Sequence, residues 1–269
     1  MAKKARIDEL TVSQGLATDL DSARRLIMAG EIRTKDHVWE KAGEKTASTT
    51  VLELKSRHCK WVSRGGLKLE KAITDFAINP AGCRCLDIGA STGGFTDVLL
   101  QNGAAEVFAV DVGYGLLDAK IQQNPRVIVK DRTNFRMVAD NEFGEPFDIV
   151  VTDVSFISLK MILPKATAML KNSGSIIALI KPQFEAERDQ VPEGGIITDP
   201  GLHIRIIEDL KLELSCTNKI FLHSISPVPM VSHKKNIEYL SLWNKNTGNL
   251  SMDEIQKIVT EAHSRLDKS

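Results

Sequence analysis

The sequence predicts an α/β protein in which a seven-stranded, doubly wound parallel sheet follows a small α+β module. Three observations predict this. After Trp61, seven short apolar runs alternate with helical stretches. A glycine-rich turn stands directly behind the first run, and the first sixty residues, too few for a large core, follow a different rhythm.

In chain order, Arg6 to Gln14 is amphipathic and predicts a helix. Asp21 is the expected N-cap of a second helix, Ser22 to Ala29, which Gly30 ends. Ile32 and Val51 to Leu54 look like β segments, and the polar stretch Glu40 to Thr50, with Gly43, reads as a loop. The expected organisation is a module over 1–60, a linker over 61–64 and a large domain over 65–269. Its strands are expected at Arg84 to Asp87, Val107 to Asp111, Val127 to Lys130, Phe147 to Asp153, Ser175 to Lys181, Lys219 to Ser224 and Ile237 to Trp243. Helices are expected at Leu67 to Phe76, Gly94 to Asn102, Leu159 to Leu170, Leu202 to Leu214 and Asp253 to Leu266.

Composition fits a soluble globular chain, with 42% hydrophobic and 26% charged residues. No stretch reaches the roughly 18 apolar residues of a membrane span, and Met1 to Arg6 opens no signal-peptide core, so a cytoplasmic protein without a membrane partner is expected. Cys59, Cys83, Cys85 and Cys216 form no metal knuckle, and no metal is expected. The 35 basic and 35 acidic residues cancel overall but not locally. Met1 to Lys71 holds 15 basic against 10 acidic residues, a net +5, which leaves −5 for the remainder.

Cys85-Leu86-Asp87-Ile88-Gly89-Ala90-Ser91-Thr92-Gly93-Gly94-Phe95 reads as a strand, a bare turn and a helix start, where backbone can approach a ligand. A Walker loop would need a lysine after the glycines, and none follows. A dinucleotide loop would want glycine where Ser91 stands, and remains an alternative. S-adenosylmethionine carries no phosphate, so a loop of this kind need only pass close to it. Asp111 behind the second strand is then suited to the ribose hydroxyls and Asp131 behind the third to the adenine amino group. With Asp87 these are acidic residues at three successive strand ends, where doubly wound sheets bind ligands. The candidate cofactor residues are Asp87, Gly89, Ser91, Gly93, Gly94, Phe95, Asp111, Asp131 and Asp153, although Phe95 is also suited to packing beneath the loop.

The fourth strand ends in Asp153-Val154-Ser155-Phe156, not in the Pro-Pro-Tyr pattern that orients a base amine. Cys216 follows Ser215 and lacks the proline that usually precedes a pyrimidine-attacking thiol. What remains is Asp153, Lys181 in Lys181-Pro182-Gln183-Phe184-Glu185, Glu238 on the last strand and Lys68 upstream.

At Trp61 to Leu69, Gly89 to Thr96, Asp111 to Gly115, Asp153 to Leu159 and Lys181 to Glu185 the chain resembles the TlyA family of rRNA ribose 2′-O-methyltransferases, called haemolysins in older usage. More distantly it resembles the FtsJ-like methyltransferases, with a Rossmann-like sheet. The resemblance implies a catalytic tetrad of Lys68, Asp153, Lys181 and Glu238, S-adenosylmethionine as cofactor, and a ribose 2′-hydroxyl, expected on cytidine, as acceptor. Lys181 is the candidate base, to which Lys68 is the alternative; Lys68 would favour loss of its proton by like-charge repulsion, and the carboxylates hold both lysines.

Arg6-Ile7-Asp8 and Ala23-Arg24-Arg25-Leu26-Ile27 with Gly30 resemble the S-four-type RNA-binding domain. The resemblance implies RNA contacts at Lys3, Lys4, Arg6, Arg24 and Arg25, with Arg64 in the join; Lys234 and Lys235, which depart from the TlyA pattern of a Pro/Gly-containing turn, are added candidates. The expected partner is ribosomal RNA or a ribosomal subunit, with no stable protein partner. A membrane-active haemolysin and a catalytically silent RNA-binding protein are the alternatives. Trp61 is expected to pack between elements, and His203 and His233 to lie at the surface. With the basic excess concentrated at one end, most of the salt dependence of RNA binding should disappear when residues before Trp61 are removed; a titration against salt that keeps its full slope would contradict the assignment.

Overall fold

A computed structural model describes residues 4–28, 30–35, 37–54, 60–229, 236–246, 248 and 250–266. The chain divides into two compact units, Met1–Lys60 and Trp61–Ser269. Lys3, Cys59, His233, Lys234 and Lys235 lie outside the described residues.

The N-terminal unit contains β1 (Lys4–Arg6), α1 (Ile7–Ser13), α2 (Leu20–Met28), β2 (Ile32–Arg33), β3 (Val38–Trp39), β4 (Lys45–Ala47) and β5 (Glu53–Leu54). Ile7, Leu10, Ile27, Ile32 and Leu52 form its core. Gly30, at φ +67°, ends the second helix as expected: its N–H donates to Ile27 and that of Glu31 to Leu26, a closing pair that needs a left-handed residue. The cap at the other end is Asp19, not Asp21. Asp19 Oδ1 accepts from the Ser22 N–H at 2.7 Å and Ser22 Oγ accepts from the Asp19 N–H at 3.1 Å, so the helix begins earlier and Asp21 falls in its first turn. The expected loop at Glu40 to Thr50 contains β4, which pairs antiparallel with β1 in the register Ala5↔Thr46. Its polar side chains hid a backbone whose hydrogen bonds are made by that pairing.

The second unit contains α3 (Gly65–Asp75), β6 (Arg84–Ile88), α4 (Gly94–Gln101), β7 (Glu106–Val110), α5 (Ala119–Gln122), β8 (Val127–Lys130), β9 (Phe147–Thr152), α6 (Leu163–Ala168), β10 (Leu170–Ile180), α7 (Pro182–Glu185), α8 (Pro200–Asn218), β11 (Phe221–Pro227), β12 (Tyr239–Asn244) and α9 (Met252–Leu266). The sheet order is β11-β12-β10-β9-β6-β7-β8. The expected all-parallel sheet needs one correction, because β12 runs antiparallel to both β10 and β11. Only residues 228–238 separate β11 from β12, fewer than a helical crossover needs. The helix expected over Leu159 to Leu170 is broken: a 3₁₀ turn, Leu159–Met161, precedes α6, whose first turn holds Pro164.

Strand alternation sorts the core. Leu86, Ile88, Phe108, Val110 and Val150 join residues of α6, α8 and α9 in one cluster. Asp87, on the other face of β6, accepts a hydrogen bond from Thr96 on α4. The stretch expected as a linker is packed into this unit: Trp61 is buried, and the Val62 N–H donates to Asp97 Oδ2 at 2.9 Å. His203, expected at the surface, is fully buried on α8 with Nδ1 2.9 Å from Tyr239 Oη; this helix buries one polar residue on its inner face because β12 supplies a hydroxyl there.

Helices α3 and α4 approach closely at Gly94, where a Cβ would overlap Ser63 Oγ and lie 2.9 Å from the Gly66 amide nitrogen. Gly94→Ala should therefore lower stability by about 1–3 kcal/mol as helix backbone is pushed aside, read as a fall in thermal midpoint. An unchanged midpoint would show that the approach is not constraining.

Candidate active site

Sheet register brings the site residues to one edge. Ile88 lies level with Val110 and Thr152, and Val110 with Lys130, so Gly89, Asp111, Asp131 and Asp153 all leave the sheet together. Ile180 lies opposite Tyr239, which sets Lys181 beside Glu238 although 57 residues separate them in sequence. Lys68, on the first turns of α3, completes the group.

The four charges form a chain of contacts. Lys68 Nζ is 2.7 Å from Glu238 Oε2 and 3.1 Å from Asp153 Oδ2. Lys181 Nζ is 2.6 Å from Asp153 Oδ1 and donates to the Val154 carbonyl at 2.8 Å and Ser155 Oγ at 3.0 Å. Two lysines thus share two carboxylates, with no net charge. Burial works against the Lys68 charge, but Asp153 and Glu238 outweigh it and hold its pKa above the ordinary lysine value. Burial likewise opposes the charge on Asp153, and the two lysines overcome it, holding its carboxyl below the usual range.

A cavity of about 410 Å³ opens at the same edge, and Gly89, Ser91, Asp111 and Asp153 are among its lining residues. Gly89 is at φ +79°, and a Cβ there would stand 3.0 Å from Val154 Cγ1, so bare backbone is required. Asp111 accepts from the N–H groups of Ser91 at 2.8 Å and Gly113 at 2.7 Å, which fixes the loop to the second strand end.

The remaining cofactor candidates stand elsewhere. Asp87 points to the opposite face of its strand, where burial lifts its carboxyl to about 7 despite the hydrogen bond from Thr96. Gly93, at φ +90°, turns the loop against Leu117 and Ile121; Gly94 serves the helix contact, and Phe95 is buried. Asp131 accepts from the Gly115 N–H at 2.9 Å and does not line the cavity; Thr133 and Asn134, just beyond it, do. These two were missed because the sequence signal sought was an acid.

Sequence reasoning also missed the way the two motifs interlock. Lys181 holds Val154 and Ser155, while Glu185 Oε2 accepts from Ser158 Oγ at 2.5 Å and Oε1 from the Leu159 N–H at 2.8 Å. Between these anchors Phe156 sits at φ +63°, 89% exposed, its ring 4.9 Å from that of Phe184. Their signal was present, since all of these residues belong to the stretches Asp153 to Leu159 and Lys181 to Glu185.

The family model of FtsJ-like methyltransferases matches residues 61–245. The chain is an FtsJ-like methyltransferase. It is 42% identical over 90% of its length, and 90% of the other's, to the Mycobacterium tuberculosis protein named 16S/23S rRNA (cytidine-2′-O)-methyltransferase TlyA. It is 39% identical to the Brachyspira hyodysenteriae protein named hemolysin A, over 88% of this chain and 98% of that one. A solved structure from Streptococcus thermophilus, also under a hemolysin name, superposes with TM-score 0.77 at 37% identity, covering 100% of this chain and 98% of that one. The chain therefore belongs with its TlyA relatives.

In this methyltransferase the RNA-contact candidates Lys4, Arg24, Arg25 and Arg64 are exposed and Arg6 half-buried. Asp87 offers a test of the electrostatics. Its folded pKa of about 7 lies above the ordinary 3.8, so its contribution to stability is complete below about pH 4 and lost as pH rises through 7. Asp87→Asn should flatten the fall in stability between about pH 4 and pH 7, an effect of up to about 4 kcal/mol. Denaturant midpoints across that range measure it; an unchanged pH profile would contradict a neutralised Asp87.

Proposed function

We propose that this methyltransferase transfers the methyl group of S-adenosylmethionine to the 2′-hydroxyl of a cytidine ribose in ribosomal RNA. The observation that carries the reading is the quartet Lys68, Asp153, Lys181 and Glu238, which reaches the cavity through Asp153.

The cavity wall suits the cofactor. It presents the carboxylates of Asp111 and Asp153, which favour a sulfonium cation and ribose hydroxyls, and the apolar Val112, Phe135 and Ile157, which suit adenine. Asp111 and Asn134 are the residues proposed to hold the nucleoside, Gly89 and Ser91 to pass along it, and Asp153 to face the sulfonium. When bound, S-adenosylmethionine supplies an electrophilic methyl group with a neutral thioether as its leaving group.

The residues then have two tasks, to align the ribose and to take its proton. Lys68 is held between two carboxylates, which keeps it charged. Lys181 shares one carboxylate, and its other two partners are the neutral Val154 carbonyl and Ser155 hydroxyl. Ser155 can turn its hydroxyl to donate to a neutral Lys181 amine. Neutral Lys181 accepts the 2′-hydroxyl proton as the oxygen takes the methyl group, and later returns the proton to water. Asp153 orients Lys181 from one oxygen and Lys68 from the other, and Glu238 fixes Lys68 from the far side. In the N-terminal unit, Lys4, Arg6, Arg24 and Arg25 are proposed to contact RNA phosphates.

Among the described residues no helix is long and apolar enough to cross a membrane. Relatives carry both methyltransferase and hemolysin names, and a buried quartet of opposed charges serves proton transfer, the task of the first.

Lys181→Met should reduce methyl transfer to ribosomal RNA by about 100-fold or more while leaving S-adenosylmethionine affinity within about threefold. Radiolabelled methyl incorporation and calorimetry measure the two. Alkaline hydrolysis of the product should show a protected linkage 3′ to a cytidine; a methyl group on a base, with every linkage cleaved, would refute ribose chemistry.

A further inference from the structure

The N-terminal unit has an ion cluster of its own, centred on Asp8 in the first turn of α1. The Asp8 side chain is 1% exposed, and four donors converge on it. Oδ1 accepts from Arg6 Nε at 2.9 Å and the Glu9 N–H at 3.0 Å; Oδ2 accepts from Arg6 Nη2 at 2.7 Å and Arg24 Nε at 3.3 Å. Arg6 closes β1 and Arg24 lies on α2, so one carboxylate on α1 holds side chains from two other elements. The two arginines remain 40% and 47% exposed. Among the described residues, Arg6 Nη1 and Arg24 Nη2 have no acceptor, while Arg24 Nη1 reaches only Asp21, which is 84% exposed. Arg6 is gripped through Nε and Nη2 with Nη1 left open, and Arg24 through Nε with Nη2 left open.

An arginine must give up rotamer freedom to clamp a phosphate unless something already holds its plane. We infer that Asp8 is a positioning residue of the RNA-docking face, holding Arg6 and Arg24 so that their open nitrogens meet the phosphodiester backbone. The inference rests on the reading that the N-terminal unit docks RNA. The Arg6 hydrogen bonds outweigh burial and, with those of Arg24 and the Glu9 amide, hold the Asp8 carboxyl at about 2, so the clamp persists at neutral pH.

Charge alone and positioning predict opposite signs. Removing a carboxylate from a polyanion-binding face should tighten binding if only net charge mattered. Releasing the arginines should weaken it. Asp8→Asn, Arg6→Gln/Arg24→Gln and the triple variant of the full chain are titrated with labelled 16S and 23S ribosomal RNA by filter binding. Amide hydrogen exchange over residues 4–54 monitors the fold. Asp8→Asn is expected to raise Kd about fivefold or more, and to have no such effect once both arginines are gone. Unchanged or tighter binding by Asp8→Asn, or weakening that persists without the arginines, overturns the inference. If Asp8→Asn loses exchange protection, Asp8→Glu decides, because it keeps the charge but moves it by one methylene: weaker binding with protection intact supports positioning, and wild-type affinity refutes it. Should the double arginine variant bind as wild type, the docking reading falls together with the inference; arginine dependence without Asp8 dependence removes the inference alone.

Discussion

Lys68 is the contact through which the catalytic unit closes on itself. Its ammonium joins Asp153, which leaves β9, to Glu238, which precedes β12, and Asp153 carries the connection on to Lys181 behind β10. Each group is mostly shielded from water, so removing one partner would strand another charge, a loss of about 3–5 kcal/mol for a buried pair. The carboxylates reach Lys68 because the strand registers end level. Lys68 reaches them because α3 lies against α4 at Gly94, with Trp61 closed over Gly66. A helix contact well upstream of the chemistry thus sets the lysine.

The charges also explain why the molecule divides its tasks. Asp111 and Asp153 line the cavity and make its edge electronegative, and their charges add to the burial that lifts Asp87. Such an edge favours a sulfonium and opposes a phosphate backbone. Residues after Lys71 carry a net −5. The basic excess stands earlier in the chain, where the Asp8 cluster consumes one acidic charge to hold two arginines with Arg6 Nη1 and Arg24 Nη2 left open. On the proposed reading docking and methyl transfer ask for opposite potentials, and the two segments of the chain carry net charges of opposite sign.

Sequence pattern revealed most of the second unit because its strands are short apolar runs, and Asp153, Lys181 and Glu238 follow or border three of them. It did not reveal which face Asp87 takes, because a shift of one residue in a strand reverses the side chain. Gly94 looked like a ligand loop residue since a glycine required by a neighbouring helix is identical in sequence to one required by a ligand. The reversal of β12 depended on the length of a connection, not on composition. In the N-terminal unit, β4 was concealed by Lys45 and Thr46, whose polarity says nothing about backbone pairing, and the cap expected at Asp21 falls at Asp19, whose N–H the Ser22 hydroxyl accepts. His203 was misplaced because its partner, Tyr239, is 36 residues away.

The loop that carries Asp153 shows why shape and chemistry are joined at this site. Phe156 occupies a left-handed conformation that costs a non-glycine residue about 1 kcal/mol or more, so its neighbours must hold it. They do so from both sides, Lys181 through Val154 and Ser155, Glu185 through Ser158 and Leu159. A charged Lys181 donates to the Val154 carbonyl and the Ser155 hydroxyl and is ion-paired with Asp153. Ser155 is the partner whose hydroxyl can reverse when Lys181 is neutral. The proton state of Lys181 is then coupled to the geometry of the segment lining the cavity, while the Glu185 anchor holds the far end in place. A lysine that served only as a base would not need to be tied to this loop, and a loop that served only to bind would not need a lysine.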